Sequence, residues 1–89
     1  MGLYMLAYES DGDVREKLLQ TVLEKFGAKP VTQTAWMIKT ELNAEEIAQH
    51  ANDWPLDDTV DRFAIIRMKE PVEWHTFRSI TNLAAAFGL

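Results

Sequence analysis

Residues 3–8 are apolar on both alternating faces, with Leu3, Met5 and Ala7 on one side and Tyr4, Leu6 and Tyr8 on the other. Such a run is an interior strand that needs cover on both faces. In a chain of 89 residues that cover is scarce, because a protein of this size buries only about 60 to 65% of its unfolded surface. One layer of helices shields one face of a sheet, so the other calls for a further element or a second copy of the chain.

The elements that follow are short and well punctuated. Asp13 with Glu16 three residues later has capping-box spacing, so a helix is expected to start near Val14 with Asp13 as its cap. Val14, Leu18, Leu19, Val22, Leu23 and Phe26 recur at helical spacing, and Gly27 supplies a left-handed stop. Residues 29–40 are rich in Val, Thr, Trp and Ile around a polar centre at Gln33 and Thr34, which reads as two strands joined by a tight turn. Asn43 and Glu46 repeat the capping-box spacing and open a second helix with Ile47, Ala48 and Ala51 inward, ending before Trp54-Pro55.

Residues 62–69 form a fourth strand, with Phe63 and Ile65 on one face and Ala64, Ile66 and Met68 on the other, expected to be buried on both sides at its centre. Pro71 then opens a third helix expected over 71–87, whose stripe is Val72, Trp74, Phe77, Ile80, Leu83, Ala84 and Phe87. The expected fold class is α+β: one ferredoxin-like domain over 1–89, ordered β-α-β-β-α-β, with an additional C-terminal helix.

Composition removes several chemistries. The chain has no cysteine, which excludes disulfides, thiolate zinc sites, iron-sulfur clusters and cysteine nucleophiles. No run approaches the roughly 18 uninterrupted apolar residues of a membrane span, and the first residues lack a secretory pattern, so a cytoplasmic setting without membrane contact is expected. The formal charge is −5, and its placement is uneven. Glu41, Glu45, Glu46, Asp53, Asp57, Asp58 and Asp61 stand in 41–61 without a basic residue, whereas Arg62, Arg67, Lys69 and Arg78 outnumber Glu70 and Glu73 in 62–89. The acidic block reads as a solvated helix and loop that repels phosphate, so nucleic acid would need a local basic strip.

Three short motifs add a resemblance: Tyr8-Glu9 at the end of the first strand, Thr34-Ala35-Trp36-Met37-Ile38-Lys39-Thr40, and the strand at 63–68 followed by Trp74-His75-Thr76-Phe77. Together they make residues 3–77 similar to the small proteins of the SinR family, grouped with the CRISPR-associated Cas-two and virulence-associated protein D proteins. The resemblance implies a ferredoxin-like subunit that forms homodimers through sheet edges and faces. Members of the broader group include metal-dependent nucleases and nonenzymatic partners of an integrase, so the implied partner is a nucleic acid or a nucleic-acid-processing protein. In the nuclease members an aspartate ends the first strand and two copies hold a divalent metal across the dimer. Glu9 stands there in this chain, with a reach longer by one methylene.

Glu9 is therefore the candidate catalytic residue of a metal-dependent ribonuclease using both subunits, and Glu9 with Asp11 the candidate ligands for magnesium or manganese. The alternative is structural: Asp11-Gly12 as turn chemistry, Asp13 as a cap, and Glu9 as a favourable charge near a helix start. On that alternative the protein is a nonenzymatic homodimer without a cofactor, and this is the leading expectation. His50 and His75 lack metal-ligand spacing, Ser10 and Ser79 sit in no nucleophile elbow, and no glycine-rich phosphate loop is present. His50 is expected near the end of the second helix. Trp36, Trp54 and Trp74 read as core or dimer packing more readily than as stacking platforms for bases, since only Lys39, Arg62, Arg67 and Lys69 are expected to interleave with them on strands.

Overall fold

Gly12, at φ 116°, stands just outside the first helix, and its carbonyl accepts from the Glu16 N–H four residues on at 3.1 Å. The computed structural model describes residues 1–10, 12–57, 59–69 and 71–89. Its elements run β1 (Gly2–Glu9), α1 (Asp13–Phe26), β2 (Lys29–Pro30), β3 (Ala35–Thr40), α2 (Ala44–Ala51), β4 (Arg62–Met68) and α3 (Leu83–Phe87). The four strands form one antiparallel sheet in the order β2-β3-β1-β4. This α+β architecture is compatible with the expected ferredoxin-like arrangement.

Strand β1 lies between β3 and β4, and each of its apolar faces is covered by a different layer. Tyr4, Leu6 and Tyr8 meet Trp36 and Ile38 of β3 and are covered by Leu19 and Leu23 of α1, Ile47 of α2 and Trp54. On the opposite face Leu3 and Met37 are buried beneath Leu83 and Phe87. The C-terminal segment thus supplies part of the second layer that the strand requires.

Local signals explain where most elements end. Gly27 takes φ 98°, its N–H donates to the Glu24 carbonyl and the Ala28 N–H to the Leu23 carbonyl, closing α1 with a left-handed turn. At α2 the Asn43 side chain accepts from the Glu46 N–H at 2.8 Å while the Glu46 carboxylate accepts from the Asn43 N–H at 3.0 Å. Both halves of that capping box are present. The pairing of 29–40 into two strands holds, with β2 only two residues long.

Four expectations are corrected. Gly12, not Asp13, is the N-cap of α1, without a side-chain cap; Asp13 is the first helical residue, where its charge faces the helix dipole. Val14 and Leu18 are exposed because the buried stripe of α1 is narrower, centred on Leu19 and Leu23. In α2, Ile47 is buried and Ala51 half-buried, but Ala48 is exposed. Strand β4 is an edge strand: Phe63 and Ile65 turn toward the helices, whereas Ala64 and Ile66 are exposed.

The helix expected over 71–87 forms only at its end, over Leu83–Phe87. Arg78 adopts φ 58°, which no helix tolerates, and the Ile80 N–H donates to the Val31 carbonyl at 3.0 Å instead of to its own segment. Val72, Thr76, Ile80 and Thr81 are β-branched and resist helix. Asn82 then caps α3 by accepting from the Ala85 N–H at 3.2 Å.

Candidate functional site

Glu9 is the last residue of β1, and the antiparallel register places it opposite Arg62, the first residue of β4. The Glu9 carboxylate lies 4.0 Å from the Arg62 guanidinium, and its side chain is 75% exposed. Both border an open hollow at the end of the sheet, floored by Ala7, Ala35 and Ala64. Asp11, the second candidate ligand, lies outside the described residues. Among the described residues no three His, Asp or Glu side chains converge in a group that could hold a metal ion. What the arrangement around Glu9 provides is a carboxylate facing a cation across two strands, at a distance where surface pairs contribute little.

The acidic loop before β4 is organised rather than freely solvated. Arg15, in the first turn of α1, donates from Nε to Asp61 Oδ2 at 2.9 Å and from Nη2 to Asp61 Oδ1 at 2.8 Å. The Asp61 side chain is 1% exposed. Asp61 Oδ2 also accepts from the Asp57 N–H at 2.9 Å, and Asp57 Oδ1 accepts from the N–H and hydroxyl of Thr59 at 2.9 and 2.6 Å. The Thr59 side-chain hydrogen bond, with its backbone partner, holds the Asp57 carboxyl below its ordinary value. Charge alternation along the chain gives no hint of this bidentate pair, because its partners are 46 residues apart.

The aromatic residues divide in a way that spacing did not reveal. Trp36 is buried, and Trp54 packs edge-on against Phe26 and Phe63 with ring centroids 5.1 and 5.7 Å away. His50, exposed near the end of α2 as expected, leans on Phe26 at 5.2 Å. Burial pushes the Tyr8 phenol up, and its hydroxyl donates to the Gln33 carbonyl at 2.8 Å. Trp74, by contrast, is 42% exposed on the segment that leads into α3. It borders a hollow of about 470 Å³ shared with Thr76, Arg78, Ile80 and Asn82.

Basic side chains gather toward the other end of β4. Arg67 sits over the Tyr4 ring at 6.0 Å, and Lys69 stands one residue past the strand. Lys39, on β3, donates to the Phe87 carbonyl at 3.5 Å. Among the described residues no helix is long and apolar enough to cross a membrane. No protein-family model matches the chain, and no curated protein matches it.

Proposed function

We propose that this protein is a nonenzymatic homodimeric binding protein of ferredoxin-like fold, related to the SinR group, whose partner is a nucleic acid or a nucleic-acid-processing protein. The supporting observation is the exposure of large apolar side chains on the C-terminal third: Ile66 is 53% exposed, Ile80 63% and Phe77 89%. Ile66 on edge strand β4, and Ile80, whose N–H bonds to Val31 just past the opposite edge strand β2, leave apolar surface on both sides of the sheet for a partner to cover. Ile66 lies on the unpaired edge strand β4, a surface suited to a second copy. The resemblance of 34–40 and 74–77 to the SinR group supports the nucleic-acid side of the reading.

Incubating the pure protein with labelled RNA and DNA, with magnesium or manganese and with chelator, tests it. Retention of intact strands supports the binding reading. Metal-stimulated cleavage abolished by Glu9→Ala would replace it with a ribonuclease using Glu9 from both subunits.

A further inference from the structure

The segment between β4 and α3 combines three features found nowhere else among the described residues. Arg78 is the one non-glycine residue there with positive φ, at 58°, a conformation that concentrates where a side chain is held for a ligand. It shares one hollow with Trp74, which is 42% exposed, and with the polar side chains of Thr76 and Asn82. Phe77, three residues beyond Trp74, is almost wholly exposed.

From this we infer that the hollow between Trp74 and Arg78 seats one unpaired nucleotide of a single-stranded nucleic acid, with the base on the Trp74 ring and its phosphate on the Arg78 guanidinium. The inference rests on the reading of a nucleic acid as partner, and it names the site and the form of the strand.

Chemistry favours this occupant. The hollow offers a flat π-surface and a cation a few residues apart, which suits a planar ring tied to an anion. Every nucleotide has both parts, so neighbouring nucleotides can repeat the contact on Phe77. Residues 71–82 carry one acid, Glu73, against one base, Arg78, whereas 41–61 carries seven acids and no Lys or Arg, so a polyanion meets less repulsion here than at the acidic block. A duplex fits less well, because its bases are stacked on each other and closed to Trp74.

The test is anisotropy of a dye-labelled oligothymidylate of about twelve nucleotides with the full chain at low ionic strength, comparing wild type, Trp74→Phe, Trp74→Ala and Arg78→Gln. Melting of each variant is followed in parallel, and Trp74→Phe guards against a fold that needs a ring at 74. The expected result is binding kept by Trp74→Phe and weakened about tenfold by Trp74→Ala. Arg78→Gln should weaken binding and lower the salt slope by about 0.7. Single-strand binding by wild type that all three variants retain would overturn this site while leaving nucleic-acid binding in place. Preference for a duplex, or for an acidic aromatic peptide over the oligonucleotide, would also overturn it. Failure of the wild type to bind any nucleic acid would remove the broader reading as well.

Discussion

Arg15 clasps Asp61 through two near-parallel hydrogen bonds, 2.9 and 2.8 Å long, and so ties the first turn of α1 to the residue that precedes β4. The Asp61 carboxylate has almost no contact with solvent while the guanidinium keeps about a third of its own. Removing Arg15 leaves a buried carboxylate without its main cation, which costs more than the pair itself contributes. Arg15→Ala is expected to lower unfolding stability by about 2 to 4 kcal/mol, measured by urea denaturation. A loss under about 0.5 kcal/mol, the range of an ordinary surface change, would show that the pair is incidental.

The Asp57 carboxyl titrates below its ordinary value because the Thr59 hydroxyl and N–H donate to it. A depressed carboxylate adds stability that is fully present above the unfolded value and is lost as pH falls through the folded one. Thr59→Val removes the hydroxyl, so the Asp57 titration followed by carbon-13 NMR should move up. An unchanged midpoint would place the cause elsewhere.

The C-terminal segment should show two opposite sensitivities. Phe87 is buried against Leu3 and Met37, and Phe87→Ala should cost about 3 to 5 kcal/mol, enough to unfold much of so small a domain. Phe77 is 89% exposed, and Phe77→Ala should change stability by no more than about 0.5 kcal/mol. Thermal melts of the two variants check both, and equal losses would contradict the placement of the segment.

What the sequence disclosed is what short-range chemistry controls. The two-faced run at 3–8, the stop at Gly27 and the reciprocal cap of Asn43 and Glu46 are decided by neighbouring residues, and each is found where expected. Trp74, Phe77 and Ile80 misled because their spacing imitates a helical stripe although all three are exposed. Their conformation is set instead by the left-handed Arg78 and by a hydrogen bond from Ile80 to distant Val31. The surroundings of Glu9 were hidden for a similar reason. Its facing residue, Arg62, is chosen by the register of β1 on β4, which no local motif encodes.

Glu9 separates a binding protein from a nuclease. Facing Arg62 at 4.0 Å and largely in water, it should tolerate Glu9→Gln with a stability change under about 1 kcal/mol. Calorimetric titration of magnesium and manganese into wild type and variant should show no difference between them. Tight binding by wild type that the variant loses would place a metal at Glu9.

Sedimentation velocity of the chain at micromolar concentration, alone and with a labelled single-stranded oligonucleotide, tests the central claim of a homodimeric nucleic-acid binder. The predicted result is a species of twice the 10.2 kDa protomer mass, with the labelled strand moving with it. A species of protomer mass, with the strand sedimenting free, would contradict the claim.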